Sequence, residues 1–173
     1  QSLAATAADQ PASLYENAVR QQQILHDRLL ERPTGGENPY LIHQQLGDVM
    51  TKAATVVRRN DQLQEALDKV EELAERATRC SLSDTGQWTN QNVVFTKALI
   101  DMFPVARTIV QGALQRDECR GAHFKPDFAM PSLTTEDPGQ RRVQAEQWCD
   151  RFAENNRQWL KSTIATWADN QVN

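Results

Sequence analysis

Apolar residues recur at alternating spacings of three and four along most of this chain, and that period predicts amphipathic α-helices. Four such helices are predicted over residues 11–32, 38–59, from 60 onward and 89–117. The residues expected to face inward are Leu14, Ala18, Leu25 and Leu29 in the first helix, Ile42, Leu46, Val49, Ala53 and Val56 in the second, Leu63, Leu67, Val70, Ala74 and Ala77 in the third, and Phe95, Leu99, Met102, Ala106, Ile109 and Ala113 in the fourth.

Two of these helices carry clear local signals. Asn38 is a good N-cap and Pro39 suits the first helical turn, so the second helix should begin there. Pro104 lies inside the fourth and longest predicted helix. The apolar stripe keeps its phase across this proline, so we expect a local kink near Ile100 while the helix continues to Leu114.

The four stripes predict an all-α fold, an antiparallel up-and-down bundle of three to four long helices that is spectrin-repeat-like. The segment 120–140 contains Pro126, Pro131 and Pro138 and few periodic apolar residues, so it should be extended. A C-terminal helix is then predicted over 141–168 and should pack on the bundle. Its aromatic residues available for burial are Trp148, Phe152, Trp159 and Trp167.

The composition limits the function classes. A chain of 173 residues, 39% of them hydrophobic, can bury a core as one domain. The formal charge of −4 is mild, so neither a nucleic-acid partner nor a membrane-surface partner is indicated. No apolar stretch reaches the length of a membrane span, so no membrane insertion is expected and we predict a soluble chain. Cys80, Cys119 and Cys149 are too far apart for a Cys-x-x-Cys metal site.

The sequence offers no catalytic, cofactor-binding or metal-binding residue. No pair of glycines has the Gly-x-Gly spacing of a dinucleotide-binding turn. None of His26, His43 and His123 has a Glu three residues before it, as di-iron bundles require. Cys119 and His123 are near each other, but nothing marks a third group that would orient them for nucleophilic catalysis.

Three blocks of sequence nevertheless share one family resemblance. Residues 36–77 contain Leu-Gly-x-x-Met and then Val-Val-Arg before a Leu-rich helix, and residues 158–167 read QWLKSTIATW. Between them, residues 87–128 contain Ala-Arg, Gly-Ala-Leu and then RDECRGAHFKPDF. These blocks, in this order, resemble the helical domain of succinate dehydrogenase and fumarate reductase flavoproteins. The family signature falls on Arg116, Glu118, Arg120, Gly121, Ala122 and His123.

The resemblance implies a piece of an FAD-dependent oxidoreductase that interconverts succinate and fumarate and passes electrons to an iron-sulfur subunit. The implied location is cytoplasmic, peripheral on the inner face of the membrane. The flavin and the active site of the family belong to upstream domains, so this piece alone should be inactive and hold no cofactor. Residues 1–10 would be a linker or the tail of the flavin-binding domain, 11–119 the bundle, and 120–173 the extended segment and C-terminal helix. Relative to the family, about 20 residues around 134–154 look inserted.

The signature has three possible roles. Arg120 and His123 could hydrogen-bond the last carbonyls of the fourth helix, with Gly121 as its C-cap. They could instead help Arg116 and Glu118 to dock this domain on the upstream flavin-binding domain. A proton relay through His123 is the third possibility. For the whole chain, the alternatives are a free-standing helical interaction module, an independent redox enzyme and the equivalent domain of L-aspartate oxidase.

Overall fold

A computed structural model describes residues 12–168 and 171–172. Within these ranges five α-helices follow one another: α1 (Ala12–Leu30), α2 (Pro39–Ala53), α3 (Asn60–Ala77), α4 (Gln91–Gln115) and α5 (Pro138–Trp159). A short 3₁₀ helix covers Pro126–Phe128, and β1 (Trp167–Ala168) pairs antiparallel with β2 (Gln171–Val172). The all-α prediction is confirmed.

Three helices, α2, α3 and α4, form the core in an up-down-up arrangement. The first turns of α2 and α4 lie side by side, since Tyr40 Oη donates to Asn92 Oδ1 at 2.8 Å and the Tyr40 ring stacks on Phe95. Cys80, just after the end of α3, pairs with Glu37, just before α2, so α3 runs the opposite way. The apolar residues shared by these helices include Ile42, Leu46, Ala53, Leu63, Val70, Leu73, Leu99, Phe103, Ala106 and Val110.

The first helix departs from its predicted packing. Only Leu29 of α1 is buried, in a small cluster with Leu82 and Val93, while Leu14 is 53% exposed. The prediction that Leu14 and Ala18 face inward is therefore wrong. Helix α1 meets the bundle through its last two turns, and no described residue covers the turns before them.

The second helix begins as predicted and ends early. Asn38 caps it, accepting from the Tyr40 amide at 2.9 Å, and Pro39 occupies the first turn. It ends at Ala53 instead of 59, and Val56 is 55% exposed. The physical reason is a long-range pairing: the Phe124 amide donates to Val56 O at 3.1 Å, and the Arg58 amide donates to Phe124 O at 2.8 Å. Residues 55–57 are β-branched and suit this extended conformation.

The fourth helix is continuous across Pro104, as predicted, and is the longest one described. The residues that it buries coincide only in part with the predicted inward-facing row. Leu99, Ala106 and Ala113 are buried, but Val93, Thr96, Phe103 and Val110 complete the inner face. Met102 and Ile109, which were expected inside, are 40% and 45% exposed. Helix α4 is apolar on more than one face, so its period alone could not select the buried one.

The C-terminal helix starts and ends earlier than predicted. Asp137 caps α5, accepting from the Gln140 amide at 2.8 Å, and Pro138 is in its first turn, so this proline opens the helix. The helix ends at Trp159, and the described part of the chain contains no fully buried residue within it. Trp148 and Trp159 are half-buried and Phe152 is exposed; the Trp167 side chain lies outside the described residues. Among the described residues, the last turns of α5 contact the segment that follows α4, through Arg116 and Arg120, and not the helices of the bundle.

Gly36, in the loop between α1 and α2, allows the backbone to approach Arg79 closely. A Cβ on Gly36 would lie 2.4 Å from Arg79 O, and the neighbouring Glu37 amide donates to that same oxygen at 3.0 Å. We expect Gly36→Ala to lower the free energy of unfolding by about 1–3 kcal/mol, because the backbone must move apart. Gly112→Ala is the matched control: nothing lies within 4 Å of its added Cβ in the last turn of α4, so it should be neutral or stabilise by up to about 0.5–1 kcal/mol. Urea denaturation of both variants measures this, and an equal response would contradict it.

Candidate functional site

The family signature forms a sharp corner after α4. The helix ends at Gln115, and Arg116 is already extended. Arg120 and His123 then exchange two backbone hydrogen bonds, of 2.8 and 3.0 Å, across a two-residue turn. Gly121 is the first residue of that turn, with φ +57°. The expected left-handed conformation is present, but the prediction of a helix C-cap at Gly121 is wrong, because a hairpin turn requires the positive φ here.

Glu118 is the buried centre of this corner. Its side chain is fully removed from solvent and forms ion pairs with Arg116 and Arg120. Arg120 Nε donates to Glu118 Oε2 at 3.0 Å and Asn155 Nδ2 donates to the same oxygen at 3.4 Å. Burial alone would raise the pKa of Glu118, but the hydrogen bonds from Arg120 and Arg116 outweigh it and hold the pKa below its usual value.

The same two arginines hold the end of α5. Arg116 donates to the Trp159 carbonyl at 2.6 Å and to the Lys161 carbonyl at 3.1 Å. Its guanidinium also lies 5.9 Å from the centre of the Trp159 ring. Arg120 Nη2 donates to Asn156 Oδ1 at 2.9 Å. Cationic side chains at the last carbonyls of α5 complement its helix dipole, so Arg116 acts as a C-terminal cap supplied from another element.

His123 and Arg58 together satisfy the ends of α2 and α4. Arg58 donates from Nε to Thr55 O at 2.7 Å and from Nη2 to Ala54 O at 3.0 Å. Its Nη1 lies 2.7 Å from His123 Nδ1, and His123 Nε2 lies 2.8 Å from Arg116 O. Because a guanidinium only donates and a carbonyl only accepts, the His123 ring must be neutral, with its proton on Nε2.

The electrostatics agree with that assignment. Burial lowers the pKa of His123, and the positive charges of Arg58 and Lys125 lower it further, against the raising effect of the hydrogen bond to Arg116. Both ring nitrogens are used by Arg58 and Arg116, while the Cys119 thiol donates to Lys125 O at 3.0 Å. These contacts do not couple Cys119 to His123 as a nucleophile and base.

Lys125 is a second buried charge at the corner. Its ammonium donates to Leu114 O at 3.0 Å and to Asp117 Oδ1 at 2.8 Å, and the residue is 1% exposed. Asn60 Nδ2 donates to the same Asp117 oxygen at 3.1 Å. Burial would raise the pKa of Asp117, but the hydrogen bonds from Lys125 and Asn60 leave it below its ordinary value.

The structure therefore brings Arg116, Glu118, Arg120 and His123 together, with Gly121 making the turn between the last two. Of the two residues expected at the α4 carbonyls, His123 binds Arg116 O and Arg120 binds Glu118 and Asn156 instead. Sequence reasoning missed several contributors, among them Arg58, Lys125, Asn155 and Asn156. A signal was available for two of them, because Arg58 belongs to the Val-Val-Arg segment and Lys125 lies two residues after His123.

The groove between α2 and α4 does not fit a flavin. This groove, of about 520 Å³, is lined by apolar side chains apart from His43 and Asp101. It has no arginine and no glycine-rich loop that could receive the diphosphate of FAD. The described ranges contain no group of three or more His, Cys, Asp or Glu residues arranged to hold a metal ion. Nor does any helix in these ranges combine the length and apolar character needed to cross a membrane.

Comparison with known proteins identifies the family. A family model described as the fumarate reductase flavoprotein C-terminal domain matches residues 43–173. The chain is 34% identical over 163 residues to the succinate dehydrogenase flavoprotein subunit of Bacillus subtilis, a match that spans 94% of this chain. It is 33% identical over 125 residues, 72% of the chain, to the fumarate reductase flavoprotein subunit of Escherichia coli. The chain belongs to the C-terminal domain family of the succinate dehydrogenase and fumarate reductase flavoproteins.

Solved structures agree with this assignment. The E. coli quinol fumarate reductase matches 78% of the chain and 23% of its own chain, with a TM-score of 0.63 and 29% identity. The Mycobacterium smegmatis Sdh1 complex in the apo form matches 65% of the chain and 19% of its own, with a TM-score of 0.61 and 30% identity. The region matched in the B. subtilis and E. coli curated relatives is only 24% and 20% of their length.

The His123 assignment makes a prediction about pH. A pKa depressed below 6.5 in the fold means that the unfolded chain takes up the proton first. His123 should therefore contribute stability that is present above pH 6.5 and lost as the pH falls through its folded pKa. Long-range ¹H–¹⁵N NMR should show the neutral Nε2–H form at pH 7, and His123→Gln should flatten the loss of stability as the pH falls below 6.5. A protonated ring at pH 7 would contradict the assignment.

Proposed function

We propose that this chain is a structural and docking domain of a flavoprotein subunit that interconverts succinate and fumarate on FAD. In the complete subunit, FAD and the reacting groups belong to the upstream domain. Electrons pass to an iron-sulfur subunit, and the complex is cytoplasmic and peripheral on the inner face of the membrane. The observation that carries the proposal is the match to the B. subtilis succinate dehydrogenase flavoprotein, which covers 94% of this chain but 24% of that protein.

The geometry of the corner supports a docking role that works through rigidity. Glu118 is completely buried, and Arg116 and Lys125 donate mainly to groups of this same domain. Arg120 is the signature cation that keeps the larger exposed fraction, 35% of its side chain against 20% for Arg116. We therefore infer that the signature fixes the relative positions of α4, the extended segment and α5, and that Arg120 adds a contact to the upstream domain.

The test compares this chain with the full-length subunit that contains it. The full-length subunit should purify with stoichiometric FAD and oxidise succinate with an artificial acceptor. The 173-residue chain should be folded and helical by circular dichroism, colourless, and without measurable turnover, because the groove between α2 and α4 offers FAD neither an arginine nor a glycine-rich loop. Absorption at flavin wavelengths and the acceptor assay provide both readouts.

Two results would contradict the proposal. The first is stoichiometric flavin, or turnover that survives purification, in the 173-residue chain. The second is a full-length subunit that contains FAD but acts on neither succinate nor fumarate. The docking role of Arg120 is tested separately by Arg120→Ala, which should weaken flavin retention in the full-length subunit. Arg142→Ala, on the exposed face of α5 with its side chain 83% exposed, is the matched control and should leave retention unchanged.

A further inference from the structure

Helix α4 has a second apolar row on its outer face. Met102, Val105 and Ile109 follow one another at helical spacing and are 40%, 59% and 45% exposed. Helix α2 runs parallel beside this row and contributes Gly47 and Met50. Together they form an open apolar groove of about 520 Å³. Side chains of this size left in water forgo the stabilisation that burial would give, so a contiguous row of them indicates an interaction surface.

Gly47 provides an independent indication. It lies in the middle of α2, where glycine destabilises a helix by about 0.5–1 kcal/mol relative to alanine. Nothing in the described structure lies within 4 Å of a Cβ built on it, so no internal contact requires glycine here. A bare backbone at the groove wall allows close approach by another chain segment. Met50 and Met102 flank it with flexible side chains that adapt to a partner.

The outer face of α3 shows the opposite character. Lys69 pairs with Glu72, Arg79 pairs with Glu75, and Arg107 of α4 pairs with Glu71. Exposed pairs of this kind are typical of a face that stays in water. The outer face of α3 is therefore charged and typical of a solvent-exposed surface, whereas the groove between α2 and α4 is apolar and typical of an interface.

We propose that this α2–α4 groove is covered by an apolar segment of the upstream, flavin-binding part of the same subunit. This inference rests on the proposed function. The matched region is the C-terminal part of its family and only 24% of the B. subtilis subunit, so about three quarters of that polypeptide precedes or surrounds it. A segment in the same polypeptide has a high effective concentration and outcompetes a second copy of this chain for the groove.

Cysteine labelling in the flavin-loaded full-length subunit tests the proposal. Val105→Cys places a thiol inside the groove, and Val143→Cys on α5 is the matched control, since Val143 is 52% exposed against 59% for Val105 and lies outside the groove lining. Maleimide modification at each site is followed by peptide mass spectrometry, which separates it from that of the native cysteines. Val105→Cys should react at least about tenfold more slowly than Val143→Cys, and urea should abolish the difference.

Each other outcome is decisive. Equal labelling of the two sites in a flavin-loaded subunit would overturn the groove assignment and leave the proposed function intact. Protection of Val105→Cys that disappears on dilution would overturn the upstream domain as occupant and indicate a second copy instead. A full-length subunit without flavin or succinate oxidation would contradict the proposed function itself.

Discussion

The removal of the Glu118 carboxylate from water is the constraint on which the C-terminal third of this domain depends. A buried carboxylate is costly unless it is paired and hydrogen-bonded. Arg116 and Arg120 supply the charges, and Asn155 adds a donor from α5. Because α5 buries none of its own residues completely, its position is determined by these polar contacts and not by an apolar seam.

A related constraint acts where α2 and α4 end side by side. Parallel helices that terminate together leave two sets of carbonyls to satisfy. Side chains from the segments that follow bind these carbonyls. Arg58 binds at the end of α2, and His123 and Lys125 bind at the end of α4. One short segment thus terminates α4, receives the pairing from the end of α2 and holds α5. The many contacts made by this one segment account for the dense family signature at this point, and they would give the proposed docking domain a rigid corner.

Features with a local cause could be predicted from the sequence, and those with a distant cause could not. The start of α2 follows from Asn38 and Pro39, and the continuity of α4 follows from its unbroken apolar spacing across Pro104. The end of α2 depends on Phe124, roughly 70 residues away, and no pattern near Ala53 reveals it.

Burial was predictable only where a helix has a single apolar face. Helix α4 has two, one that packs on α3 and one that forms the groove, so Met102 and Ile109 were assigned to the wrong side. The six signature residues can be recognised as a set through family resemblance. Their geometry was not predictable, because the spacing of Glu118 between two arginines gives no indication that the carboxylate is buried or that α5 returns to meet it.

The most direct test of this account is native-state hydrogen exchange on Glu118→Gln at pH 7. The substitution keeps the shape of the side chain and removes the charge that orients Arg116 and Arg120. Amides in α5 should exchange about tenfold faster or more, while those of α2, α3 and α4 change little. Glu154→Gln, which alters an exposed pair with Arg157, is the control and should leave α5 unchanged. Undiminished protection of α5 in Glu118→Gln would contradict the claim that this buried carboxylate holds the C-terminal helix in place.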